Sequence, residues 1–330
     1  MKSGVLISQR IFDEAVAMVR QHFEVDWNQS ETPLAPHVLT QRLRDKVGAI
    51  ILLTDRIDEE VLSHCPALKI LSNVAVGYNN IDVEACIRRR IMVTNTPGVL
   101  DDTTADLTWA LLLATARRIV ESDQYFRSSQ WKGWGLMQFL GYDVHHKTLG
   151  ICGLGRIGQR VARRARGFNM KILYTDVVQA PQNIEKELGI RFVDKKTLLS
   201  ESDFITLHVP LTPQTTHYIS GAEFSQIKPT AILINASRGP VVDEKALVQA
   251  LQEGEIAGAG LDVYEREPEV DPALVQMKNV VLVPHIGSAS RETRLHMAMM
   301  AAENLVAGLT GKRPPNLVNE VFLGSRRGGH

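Results

Sequence analysis

A short apolar run, a glycine turn and an amphipathic stretch follow one another at Thr148-Leu-Gly-Ile-Cys-Gly153-Leu-Gly155-Arg-Ile-Gly158, and nothing else in the chain constrains its fold as strongly. Leu149–Cys152 suits a buried strand. Gln159 to Phe168 carries Val161, Ala162 and Ala165 at helical spacing among Arg and Gln, which predicts a helix. Glycines spaced G-x-G-x-x-G between strand and helix each have a physical task. Gly153 permits the tight turn, Gly155 lets a pyrophosphate approach the backbone, and Gly158 lets the helix pack closely on the strand. The phosphates would then meet the free N–H groups at the positive end of the helix. The next strand, Lys171-Ile-Leu-Tyr-Thr-Asp176, ends in an acid about twenty residues beyond the glycines, as a dinucleotide fingerprint requires. An acid there accepts hydrogen bonds from the adenosine ribose hydroxyls and repels a 2′-phosphate. Val177 and Val178 follow it, where a 2′-phosphate would want an arginine. The expected cofactor is NAD, with NADH preferred over NADPH.

At 330 residues the chain buries a sizeable core, and its length favours two domains. The 37 basic residues balance the 37 acidic ones, which argues against a nucleic-acid partner. Cys65, Cys86 and Cys152 have no paired spacing, so neither a disulfide framework nor a zinc site is indicated, and no metal is expected. No stretch is long and apolar enough to span a membrane, and the N-terminus does not read as a signal peptide. A cytoplasmic location is expected.

Val5–Ile7, Ala49–Leu53, Leu68–Val74 and Ile91–Thr94 read as strands alternating with helices, hence a parallel sheet covered on both faces. At Val74-Ala-Val-Gly77-Tyr-Asn-Asn-Ile-Asp82 a strand runs into a glycine turn, where backbone N–H groups near Val76 and Gly77 suit a small anion. By itself that segment reads more readily as a plain turn before a helix at Val83. Asp101 to Val120 is predicted as one long helix, with Asp102 and Thr103 as capping candidates. Gln124 to His146 then holds Trp131, Trp134, Leu136, Met137, Phe139 and Leu140, much apolar surface for a connection, suited to packing on its own domains and at least as well to a dimer contact. His145-His146 lacks companions for a metal. From the fingerprint onward six strand-like runs appear: 149–152, 171–175, 204–209, 231–235, 259–263 and 280–283. Beyond their carboxyl ends stand Gly153, Asp176, Pro210, Arg238, the acids Asp262, Glu265 and Glu267, and His285. The Met-bearing helix Arg291 to Gly308 is expected to return the chain to the first domain, and Gly324–His330 reads as a disordered tail.

Arg238, His285 and Glu267 each have an ordinary reading alone: a surface arginine, a core histidine, a solvated acid. Behind a nicotinamide fingerprint they read together. An arginine fork anchors a carboxylate, a histidine moves a proton near neutral pH, and a paired acid fixes the histidine's tautomer. Gly153-Leu-Gly-Arg-Ile-Gly158, His208-Val-Pro-Leu-Thr212, Asn235-Ala-Ser-Arg-Gly239, Leu261-Asp-Val-Tyr-Glu-Arg-Glu-Pro268 and Pro284-His-Ile-Gly-Ser288 together resemble the D-isomer-specific 2-hydroxyacid dehydrogenases over nearly the whole chain. Val76-Gly-Tyr-Asn-Asn80 and Trp131-Lys-Gly-Trp134 resemble their glyoxylate/hydroxypyruvate and 2-ketogluconate reductase branch.

The resemblance implies an α/β protein of two domains flanking an active-site cleft. A Rossmann-type doubly wound parallel sheet (101–287) would be inserted in a smaller flavodoxin-like substrate domain (1–100 plus 288–330), with homodimerisation through an arm at about 121–147. It implies a 2-keto acid reductase in which Arg238 holds the substrate carboxylate and carbonyl oxygen, and His285 gives a proton to that oxygen. Glu267, matching the family's Glu-Pro step, would orient His285 and keep its proton affinity high; Glu265 lies close by. Val76, Gly77 and Ser288 match further substrate contacts. Thr104, Gly153, Gly155, Arg156, Ile157, Asp176, Pro210, Thr215, Ala236, Asp262 and Gly287 match cofactor contacts. The branch often uses NADP with basic residues after the second strand, and Asp176-Val-Val178 departs from that. The same fold and triad also serve NADH-sensing corepressors and phosphite dehydrogenases, which are the alternatives.

Overall fold

The computed structural model of the protein describes residues 3–319, and the tail expected at Gly324–His330 lies outside them. The chain packs as two compact units, one of Met1–Leu100 with Ser290–His330 and one of Asp101–Ala289.

In the first unit β1 (Gly4–Ile7), β2 (Glu24–Trp27), β3 (Gly48–Ile51), β4 (Ile70–Asn73) and β5 (Met92–Thr94) form a parallel sheet in the order β2-β1-β3-β4-β5. That is the flavodoxin-like order. Successive strand side chains point to opposite faces, and both faces are buried, so the strands read as unbroken apolar runs. Val5, Ile7, Ile50, Ile70 and Met92 pack on one face against Ala15, Val16 and Val19 of helix Asp13–His22 and Ala298, Ala301 and Ala302 of helix Arg291–Leu309. Leu6, Ala49, Ile51, Leu71 and Val93 pack on the other against Leu39, Leu43, Leu62 and Ala85. Met297 is buried in the last helix, and Met299 and Met300 are half-buried.

In the second unit β6 (Thr148–Cys152), β7 (Lys171–Thr175), β8 (Ile190–Phe192), β9 (Phe204–Leu207), β10 (Ile232–Asn235), β11 (Gly258–Leu261) and β12 (Val280–Leu282) form a parallel sheet in the order β12-β11-β10-β9-β6-β7-β8. Counted from β6 this is the doubly wound dinucleotide-binding order with one strand added at the far edge. The chain crosses over between β6 and β9, and ligands bind beyond the strand ends at such a crossover.

Four expectations need correction. The sheet has seven strands, not six, because the three-residue edge strand β8 carries an exposed Arg191 at its centre and shows no apolar run. The helix expected over 101–120 is Asp101–Ala116, followed by a separate helix Ile119–Arg127. Arg118 between them adopts φ +53, and the Ala116 carbonyl is taken by the N–H of Tyr142 at 2.8 Å, so the first helix ends there. Asp102 and Thr103 lie inside its first turn and do not precede it. The fingerprint helix runs Arg156–Ala165, starting directly at the glycine turn, with a 3-10 turn over Arg166–Phe168.

Candidate active site

The fingerprint turn is built for close approach. Gly153 has φ +93, and a Cβ on it would stand 2.8 Å from the carbonyl oxygen of His208. A Cβ on Gly158 would stand 2.2 Å from the Gly153 oxygen, so helix and turn touch there. Gly155 differs: nothing lies within 4 Å of its missing Cβ. It is the N-cap of a ten-residue helix and supplies no side chain to cover the first N–H groups. Open space before an uncapped helix N-terminus, reached through a glycine, fits a pyrophosphate.

Neighbouring strand ends hold this turn in place. Gly153 donates its N–H to Thr175 O at 2.9 Å, and His208 donates to Cys152 O at 2.7 Å. The carboxylate of Asp176 accepts from the N–H groups of Leu154 and Val177, both at 2.7 Å, so the acid stands against the fingerprint. Val177 is 98% exposed and Val178 74%, so bare aliphatic surface follows the acid. Arg156 is bound to the buried Asp101 at 3.0 Å. Thr215 Oγ1 donates to Pro210 O at 2.5 Å, joining the two residues expected at the adenosine side. Ile157 lies in the first turn of the fingerprint helix, and Ala236 is half-buried in the loop after β10.

The chemical groups come from the ends of β10, β11 and β12. Asn235 ends β10 and knits the next turn: its Oδ1 accepts from Ser237 N–H at 3.1 Å and its Nδ2 donates to Arg238 O at 3.0 Å. Arg238 is half-buried, and its Nη1 donates to Ser237 O at 2.8 Å. Burial lowers its pKa while the charge of Glu267 raises it, and a guanidinium stays protonated throughout. After β11, Glu267 Oε1 accepts from Tyr264 N–H at 3.1 Å, and Oε2 lies 2.8 Å from Nδ1 of His285. Burial pushes the Glu267 pKa up, but His285, Tyr264 N–H and Arg238 outweigh it and leave the carboxyl below its ordinary value. An ionised carboxylate on Nδ1 commits that nitrogen as the donor. Nε2 of His285 has no hydrogen-bond partner among the described residues.

His285 itself sits at φ +52, in the left-handed region that a non-glycine residue avoids at a cost of roughly 1–3 kcal/mol. Asp262 holds it there. Its carbonyl accepts from His285 N–H at 2.9 Å, and its buried carboxylate accepts from Ile286 N–H at 2.5 Å and Gly287 N–H at 2.8 Å. Burial raises the Asp262 carboxyl to about 6 against these bonds and the charge of His285. Gly287 is packed beside the buried Thr104, and Ser288 follows in the same turn.

Glu265, the other acid of this loop, turns elsewhere: its Oε1 lies 3.1 Å from Nε2 of His217. Sequence reasoning left Tyr264 without a task. Besides its N–H bond to Glu267, its hydroxyl donates to Val283 O at 2.9 Å, tying the Glu267 loop to the strand end that leads into His285. An aromatic hydroxyl just after a buried strand was the available signal.

In the first unit, Val76 and Gly77 follow β4. Asn95 donates to Val76 O at 2.8 Å and Asn73 to Gly77 O at 3.0 Å. Asn80 donates to Leu52 O at 3.2 Å and Asp55 O at 3.0 Å. A trans peptide points its N–H opposite to its carbonyl, so with Val76 O on Asn95, the Gly77 N–H faces the other way. The three asparagines, missed in sequence, fix that turn.

Residues 109–287 match the sequence profile described as D-isomer specific 2-hydroxyacid dehydrogenase, NAD binding domain. A glyoxylate reductase from Korarchaeum cryptofilum is 52% identical over 325 residues, covering 98% of each chain. The crystal structure of a glyoxylate reductase from Paecilomyes thermophila superposes with a TM-score of 0.86 at 30% identity, covering 97% of this chain and 99% of that one. An NADPH-dependent glyoxylate/hydroxypyruvate reductase from Sinorhizobium meliloti, solved with NADP and malonate, gives 0.86 at 33% identity over 96% and 97% of the two chains. With a Rossmann-ordered sheet, a glycine cradle fit for pyrophosphate and these relatives along its length, the chain belongs to the D-isomer-specific 2-hydroxyacid dehydrogenases, nicotinamide-dependent oxidoreductases acting on the CH–OH group.

Proposed function

We propose that the protein reduces small 2-keto acids, glyoxylate or hydroxypyruvate above others, with NADH as the preferred cofactor. The observation that carries the chemistry is the Glu267–His285 pair at 2.8 Å, with Nε2 left over for a substrate. Arg238 binds the carboxylate and the carbonyl oxygen, and the N–H groups of Val76 and Gly77 are further carboxylate donors. The bound nicotinamide supplies the hydride that reaches the 2-carbon. His285 gives its Nε2 proton to the carbonyl oxygen, and in oxidation takes it back from the hydroxyl. Glu267 holds the ring in the right tautomer and stabilises its charged form. Asp262 keeps His285 in its turn and, with Ala236, Thr104 and Gly287, faces the nicotinamide end. Ser288 completes the substrate contacts. Gly153, Gly155, Arg156 and Ile157 carry the pyrophosphate, Asp176 the ribose, and Pro210 and Thr215 the adenosine side. Leu53 and the 76–79 loop bear on the choice of the substrate's side chain.

The close relatives named glyoxylate reductase support the substrate class. The Sinorhizobium relative is NADPH-dependent, but Asp176 followed by two exposed valines favours NADH here. The exposed aromatic arm supports a homodimer. Cys65, Cys86 and Cys152 are buried and unpaired, which suits a reducing compartment, and no helix of the described residues is long and apolar enough to cross a membrane. We place the enzyme in the cytoplasm.

Initial rates of NADH oxidation with glyoxylate, hydroxypyruvate, pyruvate, 2-ketogluconate and phenylpyruvate, repeated with NADPH, test this reading. The highest kcat/KM is expected with one of the first two and NADH. Asp176→Asn keeps an acceptor for Leu154 N–H but removes the charge, and should narrow the NADH/NADPH preference about fivefold, the worth of ~1 kcal/mol of repulsion. An unchanged ratio removes Asp176 from cofactor choice. No turnover of any keto acid, with NADH still bound, would point to phosphite oxidation or nucleotide sensing.

A further inference from the structure

The segment from Glu265 to Asp271, which carries Glu267 near its middle, is spanned by one side chain. Glu244, the first residue of helix Glu244–Glu253, lies half-buried against it. Its Oε2 accepts from Glu265 N–H and its Oε1 from Asp271 N–H, both at 3.0 Å. Glu265 returns the contact, its Oε2 accepting from Glu244 N–H at 3.0 Å. The other oxygen of Glu265 lies 3.1 Å from His217 Nε2, which stops that carboxylate from turning towards His285.

An acid in the first turn of a helix ordinarily faces its own helix N-terminus. Here the cap is supplied by Asp243, whose Oδ1 accepts from Ala246 N–H at 3.1 Å, so Glu244 is not needed for it. Its two oxygens instead satisfy backbone donors at both ends of another loop. Charge-assisted bonds of this kind are the stronger ones, and two of them fix the loop's span. Between the fixed ends, the Tyr264 N–H and the histidine ring hold the Glu267 carboxylate.

We propose that Glu244 is a positioning residue for the proton transfer: by clamping the 265–271 loop at both ends it holds Glu267 against Nδ1 of His285. The inference rests on the reading of Glu267–His285 given above. It assigns no contact with substrate or cofactor to Glu244, so the rate of the chemical step should depend on it while binding does not.

The test is a double-mutant cycle on the full-length enzyme, with kcat, keto-acid KM, NADH affinity and melting temperature measured for the wild type, Glu244→Gln, Glu267→Gln and the double variant. In Glu244→Gln an amide N–H₂ must replace one oxygen and confront a backbone donor. We expect kcat to fall about tenfold or more, with KM and NADH affinity held within roughly twofold. The double variant should be no slower than Glu267→Gln alone, because a residue acting through Glu267 has nothing left to position. Should Glu244→Gln not fold, Glu244→Asp serves: its shorter side chain cannot span both donors, and about a threefold loss of kcat with the same non-additivity is expected. Wild-type kcat in the Glu244 variants beside an impaired Glu267→Gln overturns the inference alone. So do losses that multiply in the double variant, or that fall equally on NADH affinity. Wild-type turnover in Glu267→Gln overturns the reading beneath it, and the inference with it.

Discussion

The two histidines that end β9 and β12 occupy opposite environments, and that difference decides what each can do. His285 has a carboxylate on one nitrogen and its other nitrogen unpartnered among the described residues, which is the environment of a proton carrier. His208 has both ring nitrogens buried without a hydrogen-bond partner among the described residues, and burial pushes its pKa down to about 4. It therefore stays neutral near pH 7, with a single ring N–H. The sign follows: the unfolded chain binds a proton on His208 below about 6.5 and the folded chain only below about 4, so stability is lost as pH falls between them. The loss at pH 4 should be about 3 kcal/mol relative to pH 7. His208→Phe keeps a planar ring and removes the titration, so its unfolding free energy should fall less between pH 7 and pH 4 by that amount. Parallel pH curves for the two proteins would sink the claim. That Arg238, Glu267 and His285 stand beyond successive strand ends was legible from the sequence, because each follows a buried apolar run. Glu244 and Tyr264 were not, because their bonds go to backbone groups of a loop twenty residues away or of the next strand. Residue type marks no such contact for Glu244, and for Tyr264 the one signal was an aromatic hydroxyl just after a buried strand. The choice between Glu265 and Glu267 rested on the resemblance, and geometry now gives each acid its own histidine.

Two strand-end loops meet at Gly239. A Cβ on that residue would stand 1.7 Å from the carbonyl oxygen of Tyr264 and 2.6 Å from the nitrogen of Glu265, both backbone atoms that cannot step aside. The loop that carries Arg238 is thereby pressed against the loop that carries Glu267. Gly239→Ala must separate them, and overpacking of this kind costs about 1–3 kcal/mol. We expect the variant to melt several degrees lower and to lose kcat/KM by roughly tenfold or more in the fraction that stays folded, since both groups shift. A variant with wild-type melting and wild-type kinetics would show that the two loops move independently. Elements were legible where burial on both faces made unbroken apolar runs, as in β3, β6 and β10. They were not where a strand was short and at an edge, as in β8 with Arg191 outward. The break after Ala116 had no local signal either, because the Tyr142 N–H that captures the Ala116 carbonyl comes from far along the chain.

Charge does not drive self-association here, since 37 basic and 37 acidic residues cancel. The force available for it is apolar surface. Phe126, Trp134, Leu136 and Met137 are 62%, 81%, 72% and 76% exposed, all within the segment read from the sequence as an arm. Beside the arm runs a groove of about 910 Å³, with Val120, Phe139 and Leu140 on one side and Val275, Met277 and Val280 on the other. Val280 belongs to β12, an edge strand paired with β11 alone, and an edge left open invites cover. A patch of large exposed side chains, on a chain with no net charge to keep copies apart, suits a two-fold contact in which each arm meets the equivalent surface of its partner. Leu136→Glu combined with Met137→Glu puts two charges into that contact, where burial without a partner costs several kcal/mol. Both side chains are mostly exposed within one chain, so the substitutions should leave its own fold and NADH binding intact. Size-exclusion chromatography with light scattering should give the mass of two chains for the wild type and of one for the double variant, at equal concentration. A monomeric wild type would exclude the dimer itself. A variant that remains dimeric would place the interface elsewhere and return the arm to packing on its own chain.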